Sequence, residues 1–177
     1  SRDGSAANLA DISAGDDVAI RSGAGDVTVT GPVSAGGGAD SAGVADRLRD
    51  VTALTLSGHA YDPSGANIDI VGGTISTPRL LSALGDVRLQ STGAINVVDI
   101  TAGRDVLVDS SSTVLTGILS SGRDIGVRST GAGASVTIGN ASAGDDLVIR
   151  AKGSIFATGT LSAGSGADSA ATDQAGD

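Results

Sequence analysis

One phrase recurs along this chain and limits what it can fold into. "SAGDDVAIR" (13–21), "SALGDVRLQ" (82–90), "TAGRDVLVD" (101–109), "SSGRDIGVR" (120–128) and "SAGDDLVIR" (142–150) share a form. Each has Ser or Thr, a small residue, usually Gly, then Asp, an aliphatic residue, any residue, and a second aliphatic. The Asp residues stand at 17, 86, 105, 124 and 146, so the last four are separated by 19, 19 and 22 positions. A fixed period near twenty residues belongs to proteins in which each unit covers its neighbour's apolar surface. The wide gap between Asp17 and Asp86 calls for a further member, and "ALTLSG" (53–58) supplies the nearest match. It is flanked by two candidate insertions, 34–50 and 59–67. "SAGGGADSA" (34–42) returns as "SAGSGADSA" (162–170), so a longer repeat of about 129 residues encloses the short one, and 162–177 reads as the start of a second insertion.

Within a short unit the apolar residues alternate with polar ones, as in "DIGVR" and "SVTIG", which is the two-residue period of a strand with one face inward. Gly, Ser, Asn and Asp fill the intervals and mark turns. Each unit holds about three such runs, too short for free-standing hairpins. The pattern predicts an all-β chain folded as a parallel β-helix, or β-solenoid, with 19–22 residues and three short strands per coil. Val18, Leu54, Val87, Val106, Ile125 and Leu147 should form one inward column. Ile20, Leu56, Leu89, Val108, Val127 and Ile149 should form the next.

Composition agrees. The chain has 177 residues with one Phe, one Tyr and no Trp, Met or Cys, so Val, Ile, Leu and Ala must fill the interior. Such side chains suit a thin interior of stacked layers. All twenty acidic residues are Asp, and Lys152 is the single lysine. Asp favours turns, and helix faces laced by Glu–Lys pairs cannot be built from this set. A net charge of −9 with no basic cluster argues against nucleic acid as a partner. No apolar run approaches the roughly 20 residues of a membrane-spanning helix. The first residues, "SRDGSAANLADI", fall in the middle of the pattern, which suggests a segment of something longer.

In-register stacking also brings the Asp side chains of successive coils together, an arrangement that like charges resist. Arg104 and Arg123 precede two of these Asp residues, while Arg21, Arg128 and Arg150 close strands. The expectation is that arginines compensate the charge and that the carboxylates accept hydrogen bonds from corner N–H groups, a bound cation being the alternative.

The Ser-Ala-Gly-x-Asp-Val-x-Ile/Leu phrase, followed by "STGAINV" or "AKGSIFATG" and a fresh "LSAG", resembles the haemagglutinin repeats of filamentous-haemagglutinin-type exoproteins. The resemblance covers nearly all of the chain outside the insertions. It implies a right-handed β-helical shaft belonging to a bacterial surface or secreted adhesin of the two-partner secretion class. An extracellular or cell-surface location follows from it, as does a role in attachment, aggregation or biofilm. The partners expected are further copies of the same repeat, with host or bacterial surface glycans as a second class.

Residues with chemical potential lie mainly in the insertions. His59 lies near Tyr61 and Asp62 in "GHAYDPSG", where Tyr61 could stack on a sugar ring and Asp62 accompany it. That loop would be the site of the alternative reading, a polysaccharide-binding or polysaccharide-cleaving β-helix. A second alternative, a calcium-stabilised β-roll, rests on "GGGAD" and "GSGAD", with Asp40, Asp46, Asp50, Asp168 and Asp173 as oxygen ligands for Ca2+. The iterated nonapeptide of such rolls is absent. The pairs Asp16–Asp17 and Asp145–Asp146 do not suit glycoside hydrolysis, because neighbours on a strand point to opposite faces. The balance of these features is a non-enzymatic structural protein without a resident cofactor.

Overall fold

The computed structural model describes residues 5–36, 66–78 and 81–165. Among them are seventeen β-strands and no helix. The first coil comprises β1 (Ala7–Leu9), β2 (Ile12–Ala14) and β3 (Val18–Arg21), and the second β4 (Val27–Val29), β5 (Val33–Ala35) and β6 (Ile68–Gly72). The third comprises β7 (Ile75–Thr77), β8 (Leu81–Ala83) and β9 (Val87–Ser91). In the next three coils the first two strands join into one strand of eight residues. These coils are β10 (Ile95–Ala102) with β11 (Val106–Ser110), β12 (Val114–Ser121) with β13 (Ile125–Ser129), and β14 (Val136–Ala143) with β15 (Leu147–Ala151). A seventh coil begins with β16 (Ile155–Ala157) and β17 (Leu161–Ala163).

Every pairing is parallel and joins a strand to its equivalent one coil away. The fold is therefore a β-solenoid. Its third file of strands forms a six-stranded sheet in the order β15-β13-β11-β9-β6-β3, and the first two files share an eleven-stranded sheet. Val87, Val106, Ile125 and Leu147 are successive register partners, as are Leu89, Val108, Val127 and Ile149. The interior is one continuous aliphatic cluster running along the axis. Each fully buried member of these files contributes about 1.5–3 kcal/mol, offset by the entropy of ordering the coil. Thr77 and Thr116 also point inward, and their buried hydroxyls lack hydrogen-bond partners.

Three details depart from the sequence expectation. Ile68 and Ile70, not Leu54 and Leu56, fill the columns between Val18 and Val87, because β6 pairs with β3 on one side and β9 on the other. Leu54 and Leu56 lie outside the described residues. The proposed insertions 34–50 and 59–67 are too wide at their edges. Ser34 and Ala35 belong to β5, while Ala66 and Asn67 are buried against the shaft. Likewise Ser162 and Ala163 belong to β17 and not to an insertion. The 22-residue spacing from Ile125 to Leu147 is absorbed in the corner before β14, where Gly133 adopts φ 73°. That left-handed conformation is cheap only for glycine.

Candidate functional site

A ladder of polar residues runs along one corner of the described shaft. Before the third file, Asp17, Asn67, Asp86, Asp105, Asp124 and Asp146 lie one above another. The Asp17 Oδ1 accepts the Asn67 N–H at 2.8 Å, and the Asn67 Oδ1 accepts the Asp86 N–H at 2.8 Å. Asp86, Asp105 and Asp124 each accept the N–H of the next Asp, at 3.2, 3.3 and 3.1 Å. A short carboxylate at the corner thus binds a backbone donor that has turned out of the sheet, as buried N–H groups require. The rungs are deeply enclosed, with Asp86, Asp105 and Asp124 at 0–2% exposure.

Arginine answers the charge from one coil above. Arg104 Nε donates to Asp86 Oδ1 at 3.0 Å, and Arg123 reaches Asp105 with Nε and Nη2 at 3.1 and 2.6 Å. Both expectations for these Asp residues, arginine compensation and capping of corner N–H groups, hold here. Burial is the largest influence on Asp86 and raises its pKa. Arg104 opposes that rise, and the neighbouring Asp105 carboxylate adds to it.

Asn67 shows that a neutral carbonyl can serve as a rung. Asp86→Asn is therefore expected to change stability by less than about 1 kcal/mol. Asp86→Ala, which strands the Asp105 N–H and removes the Arg104 ion pair, should cost about 3 kcal/mol. The folded-state pKa of Asp86 lies above the ordinary carboxylate value, so the folded form holds this proton more tightly. Its contribution favours the folded state at low pH and is lost as pH rises through the folded-state pKa. Urea titrations at pH 7 and pH 4 should show wild type gaining stability relative to Asp86→Asn at the lower pH.

Two further devices escaped the sequence reading. At the corner after the third file, the buried hydroxyls of Ser110 and Ser129 donate to the carbonyls of Gly93 and Ser112, each at 2.7 Å. On the outer row of the third file, Asp69 binds Arg88 at 2.8 Å and Arg21 at 2.9 Å, with Asp69 and Arg88 almost fully buried. The sequence signals were a Ser closing the strand and an Asp one period below Arg88. Arg128 likewise pairs with Asp109, and the Asn140 Oδ1 accepts the Thr160 N–H at 2.9 Å.

An open groove of about 570 Å³ lies on the corner between the first two files, between Asp11, Pro32, Pro78 and Asp99. Asp11 and Asp99 are three coils apart, or about 14 Å at the strand spacing. This exceeds the ~5–9.5 Å that a glycosidase carboxyl pair needs. Asp99 is also engaged, accepting the Ile118 N–H at 3.1 Å. No group of three or more His, Cys, Asp or Glu residues suited to holding a metal ion occurs among the described residues. His59, Tyr61, Asp62, Asp40, Asp46, Asp50, Asp168 and Asp173 all lie outside the described residues.

These features define a class: a parallel β-solenoid repeat whose polar residues serve the stacking of coils. Comparisons with protein-family models, with curated proteins and with solved structures each gave no match.

Proposed function

We propose that this chain is a shaft segment of an extracellular fibre or adhesin, non-enzymatic, whose role is reach, stiffness and display. The reading draws on the resemblance to haemagglutinin-repeat exoproteins. Cell-surface attachment or aggregation is the process in which such a shaft would act. The observation that carries it is the coil-to-coil register. Each coil presents to the next the same aliphatic columns and the same Asp rung, so length grows by repetition without new chemistry. The Arg side chains at 104, 123 and 128 are spent on neighbouring coils, which favours a mechanical role over a catalytic one.

Chains carrying one, two and three copies of the long repeat provide the test. Five coil steps separate Val18 from Leu147, so small-angle scattering should show the particle lengthening by about 24 Å per added copy at constant cross-section. Particles that grow equally in all directions would overturn the reading.

A further inference from the structure

The long repeat makes β15 the counterpart of β3. Leu147 stands where Val18 does, Ile149 where Ile20 does and Arg150 where Arg21 does, each 129 positions later. The two strands differ in what lies above them. On β3 sits β6: the Val18 N–H donates to the Asn67 carbonyl at 2.8 Å, the Ser22 N–H donates to the Val71 carbonyl at 2.9 Å, and Arg21 pairs with Asp69 at 2.9 Å. Ile68 and Ile70 close over Val18 and Ile20, leaving these at 5% and 9% exposure. Strand β15 ends its sheet, and among the described residues no strand pairs with its outer edge. Its inward Leu147 and Ile149 remain only partly buried, while Ile125 and Val127 beneath them are at 0%. The seventh coil continues through β16 and β17 in the other two files. Among the described residues, the position above β15 is therefore the one place in the seventh coil that no strand fills.

We infer that the outer edge of β15 is an acceptor site for a single extended strand of the β6 kind, Asn-Ile-Asp-Ile, supplied by a further long repeat. This rests on the shaft reading and adds the chemistry of the partner. The incoming strand runs parallel to β15. Its two Ile side chains cover Leu147 and Ile149, and its Asp meets Arg150 as Asp69 meets Arg21. Residues 166–177 contain no Val, Ile or Leu, so they cannot supply that pair of branched aliphatics. Main-chain pairing supplies the affinity of such an added strand, and the alternate side chains supply its selectivity.

The probe is a synthetic peptide with the sequence of residues 66–73, titrated into the 177-residue chain. Saturable binding is expected, with slowed amide hydrogen exchange in β15 and none in β3. A peptide carrying Ile70→Asp buries an unpaired carboxylate and should bind more than about tenfold more weakly. Arg150 is exposed, so Arg150→Asp should leave the fold intact. It should weaken the native peptide and restore binding to a peptide carrying Asp69→Arg. No saturable binding, equal binding of the Ile70→Asp peptide, or protection confined to another strand would each overturn the inference. Rods that lengthen with added repeats while the peptide fails to bind would remove this inference and leave the shaft reading standing.

Discussion

Replacing Gly122 by alanine is expected to destabilise the shaft by on the order of 4 kcal/mol, read as a fall in the urea midpoint. The reason is steric. A Cβ at Gly122 would lie 2.1 Å from the Gly103 carbonyl oxygen, and the same contact recurs at Gly144 above the Gly122 oxygen. This corner is where one coil's backbone rests directly on the last, and a methyl group there must push two coils apart. Both neighbours are held by their own strand pairing, so neither can retreat cheaply. Gly15 occupies the same corner in the first coil, where a Cβ would meet nothing within 4 Å. Gly15→Ala is therefore expected to fall within about 0.5 kcal/mol of wild type. Equal effects at the two positions would remove the steric account.

Ile125→Ala is expected to cost about 3 kcal/mol, within the usual range for deleting a buried branched side chain. Ile125 has no exposed surface and sits between Val106 and Leu147 in a continuous file. The cavity would be bounded above and below by strands held at fixed spacing, so the interior cannot collapse into it. Ile125→Val should cost about 1 kcal/mol. Because a coil contacts only its neighbours, hydrogen exchange in Ile125→Ala should accelerate most in β11, β13 and β15. Uniform acceleration across all the described strands would argue against a one-dimensional fold.

The files through Val106, Ile125 and Leu147 were legible in the sequence because the aliphatic pair follows Asp at a nearly constant period. The same cue misplaced the second coil. Asn67 stands where the pattern demands Asp, so the pattern passes over "NIDIVG" and selects "ALTLSG". An amide oxygen accepts the Asp86 N–H as well as a carboxylate would, so the fold does not distinguish them where the pattern did. The fused strands β10, β12 and β14 were unreadable for a related reason. Gly117 and Gly139 look like turn residues, yet they bend a continuous strand where a Cβ would strike the carbonyl one coil below. The arginine–aspartate pairing was legible from charge alone. The buried Asp69–Arg88 pair was not, since it becomes visible only once "NIDIVG" is placed as the coil one period below Arg88. The loop candidates Tyr61 and Asp62 and the acidic cation candidates lie outside the described residues.

The five bonds of the Asp corner all face one way: in each, a carboxylate or amide oxygen serves the main chain of the turn that follows it. The rod is therefore a vector. The sense of the ladder is the same at every described coil, so a coil inserted in reverse would break it.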